Sequence, residues 1–142
     1  MAKSRNYKLE KQAGHLLRRA HQCHTAIFHE FISDRQLTPL QFAALVRLRD
    51  LGEVSQNQLG RMTAMDAATM QGVIKRLLAR GLISRRPDPN DRRRLILSLN
   101  RDGEAVMDAA IASAKVITRR TLEPLSAAEQ KTFLDLLARL AE

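Results

Sequence analysis

The sequence predicts a mainly α-helical chain with one small β element. Three observations carry that prediction. Apolar residues recur at three- and four-residue steps along most of the 142 residues, which is the period of amphipathic helices. The period changes to two only around residues 82–99, on either side of the turn-forming stretch PDPND. Aromatic residues make up 4% of the chain and tryptophan is absent, which suits a helical core of Leu, Ala, Ile and Val.

Each element has its own signal. Leu9, Ala13, Leu16, Leu17, Ala20, His24, Ile27, Phe28 and Phe31 form one stripe and predict a single long helix over 9–34. Thr38, Pro39 and Gln41 then supply an N-cap, a first-turn proline and a capping-box partner, so LQFAALVRLRDL forms a second helix that stops at Gly52. Ser55 with Gln58 repeats the capping pattern and opens the short helix QNQLGRM. Asp66 caps a fourth helix, AATMQGVIKRLLAR, stopped by Gly81. LISRR and RLILSL, around PDPND, predict a strand, a loop and a returning strand. RDGEAVMDAAIASAKVITRRTL and, after Pro124 and the Ser126/Glu129 capping box, AAEQKTFLDLLARLA complete the chain as two helices.

The length fits one domain over residues 1–142. Basic residues exceed acidic ones by nine, which favours a polyanionic partner, either nucleic acid or an anionic membrane surface. The single cysteine, Cys23, has no partner for an internal disulfide, and MAKSRNYKLEKQ has no apolar run of signal or membrane-spanning type. Both point to the cytoplasm. No cofactor is implied. Catalysis is disfavoured by the lack of a nucleophile elbow, a phosphate-cradling glycine loop or a paired-carboxylate motif.

The order helix, short helix, helix, hairpin is that of a helix-turn-helix followed by a β wing, occupying 39–99 with the wing at 82–99. In such a motif the second helix enters the DNA major groove. Here that helix buries Met70, Val73, Ile74, Leu77 and Leu78 and turns Thr69, Gln71, Gly72, Lys75 and Arg76 towards solvent. Gln reads adenine, Thr and Lys reach bases or phosphates, and Gly72 permits close approach. The same residues also describe an ordinary solvated helix face. Charge placement favours the DNA reading: from Lys75 to Arg101 there are nine basic residues against Asp88 and Asp91. A structural strand pair gains nothing from such crowding, whereas a hairpin entering a minor groove meets strong negative potential. Arg92, Arg93 and Arg94 therefore become candidate contacts, with Pro89 and Asn90 shaping the tip. Asp91 is expected to orient Arg93 by a charge-assisted hydrogen bond. A membrane-surface protein would instead carry its charge on a basic amphipathic helix.

The stretch GLISRRPDPNDRRRLILSLNRDG resembles the wing signature of the MarR family of bacterial transcriptional regulators, in which Asp-x-Arg precedes an apolar strand and the start of the next helix. TPLQFAAL and SQNQLGRMTAMDAATMQGVIKRLLARGL extend the resemblance, and helix order agrees to both ends. It implies a winged helix-turn-helix homodimer, joined through helices at 9–34 and 101–141, that represses promoters until a small molecule or oxidant releases it. Gly72 departs from the family pattern, in which many members carry a larger polar residue.

The residues support a dimer independently, because Leu122, Leu125, Phe133, Leu134, Leu136, Leu137 and Leu140 exceed what a small DNA-binding core covers; packing within one chain is the alternative. A two-fold dimer matches a palindromic double-stranded operator. A non-specific architectural DNA binder remains the rival reading. The segment HLLRRAHQCHTAIFHEF, residues 15–31, leaves the effector open. His21 and His24 share a helix face, but Cys23 points away from His21, and no metal site is expected. Cys23 is either a peroxide sensor, as in one branch of the resembled family, or a small buried core residue. The third reading is a small anionic aromatic effector in a cleft between the first helix and the DNA-binding lobe, its carboxylate held by Arg18 and a ring hydroxyl met by His24, with His21 nearby. Regulators that resemble this one through RRAHQ often answer to aromatic acids.

Overall fold

A computed structural model describes residues 5–142; Met1–Ser4, which begin the N-terminal stretch read above, lie outside them. A 3-10 turn at Leu9–Lys11 precedes α1 (Ala13–Phe31), α2 (Pro39–Leu51), β1 (Glu53–Ser55), α3 (Gln56–Met62), α4 (Ala67–Ala79), β2 (Ile83–Asp88), β3 (Asp91–Leu99), α5 (Arg101–Leu122) and α6 (Ala127–Leu140). The backbone forms two compact units. One is Ile32–Ala114; the other joins the residues up to Phe31 with Lys115–Glu142. The first is wider than the lobe expected at 39–99, because the first half of α5 packs with it: Arg49 of α2 pairs with both Glu104 and Asp108.

Within the Ile32–Ala114 unit the core is aliphatic, as the composition requires. Leu45 and Leu48 of α2, Leu59 of α3, Leu77 of α4, Leu97 of β3 and Met107 of α5 are fully buried. The cap signals hold. Thr38 Oγ1 accepts from the Gln41 amide at 3.2 Å while Gln41 Oε1 accepts from the Thr38 amide, and Ser55 Oγ accepts from the Gln58 amide at 3.3 Å. Gly52 and Gly81 end α2 and α4 at φ +78° and +69°, backbone that favours residues without a Cβ. Ala64, in the turn between α3 and α4, takes φ +55° and lets the Met65 amide donate back to the Gly60 carbonyl at 3.0 Å.

Two expectations are corrected here. The helix expected over 9–34 is broken at Gln12, which is extended at φ −86°, ψ 141°, and it ends at Phe31. Asp34 then accepts from the Gln36 amide, and Pro39 forces its predecessor Thr38 out of helical space. The wing is also larger than a hairpin of LISRR and RLILSL. Its arms run to Asp88 and back from Asp91, and β1 joins as a third strand in the order β1-β3-β2, with Val54 opposite Leu97 and Ser55 opposite Ile96. A three-residue strand lacks a periodic signal of its own; β3 supplies its partners.

The wing ends where α5 begins. Asn100 donates from its side-chain amide to the Gly81 carbonyl and accepts from the Gly103 amide at 2.9 Å, while its own amide donates to the Leu82 carbonyl. A Cβ built on Gly103 would lie 2.1 Å from the Leu82 carbonyl oxygen and 2.8 Å from Leu99 Cδ2. At the other end of α4, Arg80 forms an ion pair with Asp34 through Nη2, while its Nη1 is buried without a hydrogen-bond partner.

In the other unit Phe28, Ile117 and Leu122 are buried, and the Arg120 guanidinium lies 5.4 Å from the centre of the Phe31 ring. The Ser126/Glu129 capping box starts α6. No residue of α6 is buried; Phe133, Leu134, Leu136 and Leu140 are exposed, as are Leu16 and Leu17 of α1.

Two stability predictions follow from these contacts. Gly103→Ala should destabilise the chain by about 1 to 3 kcal/mol or more, because a backbone carbonyl cannot rotate away as a side chain can. Gly72→Ala, where nothing lies within 4 Å of the added Cβ, should instead be neutral or stabilise by roughly 0.5 to 1 kcal/mol. Urea unfolding of both variants checks the opposite signs. For Asp34, burial raises the carboxyl, but hydrogen bonds from Arg80 and the Gln36 amide outweigh it and hold it below its ordinary value of 3.8. The pair's stabilisation is then complete above that value and is lost as pH falls through the lower folded one. Asp34→Asn should cost about 1 to 3 kcal/mol at neutral pH, and its gap to wild type should close below about pH 4.

Candidate functional site

The polar face of α4 begins at its cap. Asp66 Oδ1 accepts from the Thr69 amide at 2.7 Å and Oδ2 accepts from the Thr69 hydroxyl at 3.0 Å, bonds that keep the Asp66 carboxyl below its ordinary range. The Thr69 hydroxyl proton is thus committed to the cap, while its oxygen remains an acceptor. Met70, Val73, Ile74 and Leu77 are buried as expected, Leu78 only partly, and Gln71, Lys75 and Arg76 are exposed. Gln71 lines a cleft of about 260 Å³ with Gln56, Asn57 and Arg61 of α3. The motif therefore offers amides and a guanidinium beside the α4 face.

The wing arginines separate into two groups. Arg86 of β2 donates to Glu53 at 2.8 Å across β3, and Arg94 of β3 donates to Ser55 Oγ of the adjacent β1 at 3.3 Å. Among the described residues Arg85, Arg92 and Arg93 form no ion pair and are exposed. Sequence reasoning found Ser55 as a helix cap but missed that Glu53 and Ser55 meet the wing arginines, because β1 has no pattern to reveal it. Arg93 and Arg94 line a small cleft of about 140 Å³ with Ser55, Gln56 and Asn57, which puts two guanidinium groups beside the start of α3. The expected Asp91–Arg93 side-chain bond is corrected: Asp91 Oδ1 accepts from the Arg93 backbone amide at 3.0 Å, and Asp88 Oδ1 accepts from the Asn90 amide at 2.9 Å. These short loops of hydrogen bonds shape the tip and leave the guanidinium groups unengaged.

A second site lies entirely in the unit that holds α1 and α6. A cavity of about 370 Å³ is lined by Leu17, Ala20, His21 and His24 of α1, Thr118, Thr121 and Leu122 of α5, and Phe133, Leu134 and Leu137 of α6. That volume is within the range of small-molecule pockets, roughly 300 to 1,000 Å³. Its wall is apolar apart from two histidines and two threonines. His24 Nδ1 lies 2.9 Å from Thr121 Oγ1, and Thr121 Oγ1 donates to the Ile117 carbonyl at 2.8 Å. Burial pushes His24 below its ordinary value of 6.5, and the neighbouring His21 adds to the effect, which favours the neutral ring. Sequence reasoning placed both histidines but missed the threonines, which come from a helix about a hundred residues later.

Arg18 is exposed and is not among the residues lining this cavity. Cys23 is exposed, which corrects the alternative that made it a buried core residue. No group of three potential metal ligands occurs among the described residues, and none of their helices is long and apolar enough to cross a membrane.

The MarR family model matches residues 37–95, from the approach to α2 through most of the wing. The chain is 44% identical over 136 residues to the HTH-type transcriptional repressor NicR of Pseudomonas putida, covering 96% of this chain and 86% of that protein. A crystal structure of a probable transcriptional regulator from Pseudomonas aeruginosa is 53% identical, with a TM-score of 0.91 over 94% of this chain and 99% of that one. Bordetella bronchiseptica BpsR, whose DNA binding is regulated by 6-hydroxynicotinic acid, is 42% identical with a TM-score of 0.91, covering 96% of this chain and 97% of its own. The chain therefore belongs to the MarR family and is a winged helix-turn-helix transcriptional regulator, not an enzyme.

Proposed function

We propose that the chain is a homodimeric repressor that binds a palindromic operator and releases it when a small aromatic acid occupies the cavity between α1, α5 and α6. The observation that carries the reading is that cavity: apolar walls of a size for a single ring, with His21, His24, Thr118 and Thr121 as its polar groups. Similarity to BpsR, regulated by 6-hydroxynicotinic acid, supports the ligand class. On the DNA side, Gln71 reads base edges, Thr69 and Gly72 allow close approach, and Lys75 and Arg76 meet phosphates, while Asn90, Arg92, Arg93 and Arg94 serve the wing. The exposed leucines of α1 and α6 that do not line the cavity, Leu16, Leu136 and Leu140, form the dimer surface, and a two-fold dimer sets its recognition helices one DNA turn, about 34 Å, apart.

In the cavity His24 meets a ring hydroxyl or N–H and His21 stands one turn away. Arg18 precedes His21 by three residues, a spacing that shares a helix face, and among the described residues it forms no ion pair. It is the residue we assign to the effector carboxylate. A second reading, release by oxidation of Cys23, draws on that side chain's exposure.

Operators selected from a random duplex pool should be palindromic and bound by a dimer, with affinity falling roughly 10³- to 10⁵-fold between about 50 and 200 mM salt for 6 to 10 phosphate contacts. Arg92→Ala should weaken binding to most sequences and lower the salt slope by about one, whereas Gln71→Ala should relax base preference at one position by about 1 to 3 kcal/mol. Fluorescence anisotropy measures both; equal affinity for scrambled duplex would sink the operator reading. For release, 6-hydroxynicotinic acid titrated into the protein–operator complex should dissociate it. Arg18→Ala and His24→Ala should each need at least about tenfold more acid. Unchanged release in both variants removes those residues from the site, and release by peroxide alone, abolished in Cys23→Ser, transfers the function to oxidation.

A further inference from the structure

Thr121 touches the cavity twice over, through its own place in the wall and through its bond to His24. Its oxygen lies 2.8 Å from the Ile117 carbonyl oxygen and 2.9 Å from His24 Nδ1. Two oxygens at the first distance are held by a proton between them, and the carbonyl has none to give. The single proton of the Thr121 hydroxyl is therefore directed at Ile117. The proton in the second bond must come from the other side, from His24 Nδ1. A neutral imidazole carries one N–H, so the remaining nitrogen, Nε2, is a bare lone pair. The neutral form is favoured here because burial and then His21 disfavour the charged ring.

That assignment limits what the cavity accepts. With Leu17, Ala20, Leu122, Phe133, Leu134 and Leu137 making up most of the wall, an acceptor left without a donor is not solvated by the wall itself and weakens any ligand that covers it. We propose that Thr121 is a specificity-determining positioning residue: by holding His24 as its Nδ1–H tautomer it makes Nε2 an obligatory acceptor, and so selects aromatic acids that present a ring hydroxyl or ring N–H over the corresponding methyl ethers, which present none. This rests on the effector reading above and adds the rule by which one ring is told from another. Without Thr121 the imidazole is free to carry its proton on Nε2, the form that predominates in free histidine, and the same atom becomes a donor. The selectivity then resides in an α5 hydroxyl that acts through a histidine on α1.

The test has two arms. In ligand-free protein carrying ¹⁵N-labelled histidine, long-range ¹H–¹⁵N correlation should show His24 with a protonated Nδ1 and an unprotonated Nε2; Thr121→Val should shift the ring towards the opposite tautomer, and Thr121→Ser should restore it. In calorimetric titrations wild type should bind 6-hydroxynicotinic acid at least about tenfold more tightly than 6-methoxynicotinic acid, which lacks the donor. The valine variant should lose most of that ratio and the serine variant should recover it, an outcome that a merely structural role for Thr121 does not produce. An Nε2–H tautomer in wild type, or a valine variant that keeps both its tautomer and its ratio, overturns the proposal while leaving the effector reading standing. Binding of neither acid by wild type, with the tautomer as expected, overturns the effector reading and the selectivity that rests on it.

Discussion

The close approach of the Gly103 backbone to the Leu82 carbonyl, with Asn100 bonded to Gly81 on one side and Gly103 on the other, is the constraint on which the DNA-binding surface depends. Leu82 follows the stop of α4 and leads into β2; Asn100 follows β3 and leads into α5. The two ends of the wing and the last turn of the recognition helix are therefore fixed to one another by a handful of backbone groups. A side chain at 103 would part them. The wing's arginines carry like charge that, unaided, would spread the hairpin, and this junction holds its base while Glu53 and Ser55 hold its outer face through Arg86 and Arg94.

That arrangement explains why not all five arginines are equal. A guanidinium bonded to Glu53 has part of its charge answered within the chain, and pulling it onto a phosphate costs that bond. Among the described residues Arg92 and Arg93 form no ion pair, although Arg93 lines the small cleft beside Ser55. The wing thus combines two arginines bonded to β1 with others at or near its tip that form no ion pair among the described residues. Asp91, the acid among them, does not compete for a guanidinium because it is occupied by the Arg93 amide.

Much of this was legible in the sequence, and the reasons are local. Thr38/Gln41, Ser55/Gln58, Asp66/Thr69 and Ser126/Glu129 are contacts across three residues, so residue type and spacing suffice to predict them, and the structure has each. The family signature ending in RDG was readable as a resemblance, but why its glycine is needed was not: the atom it must admit belongs to Leu82, twenty-one residues earlier. The same limit hid β1, whose three residues pair with Ile96, Leu97 and Ser98, and Thr121, whose partner is His24 across 97 positions. For α1 the period predicted a helix with an apolar stripe, and it said nothing of what covers that stripe. Leu16 and Leu17 keep the stripe but remain exposed, because an apolar face reports that a helix has a partner without saying whether that partner lies in the same chain.

The helix α5 brings the two sites into one argument. At its start Gly103 is locked against Leu82, and in its last two turns Thr118, Thr121 and Leu122 line the cavity. This helix of 22 residues, roughly 33 Å long, gives its first part to the Ile32–Ala114 unit and its last turns to the other. In the proposed function, the free energy available for release is only the difference in ligand affinity between the operator-bound and free forms. On the reading proposed above, a donor-bearing ring paired with His24 Nε2 adds a hydrogen bond to that difference. By reciprocity the operator must weaken ligand binding by the same factor as the ligand weakens operator binding, and because the ethers forgo that hydrogen bond, they should show the smaller coupling as well as the weaker affinity.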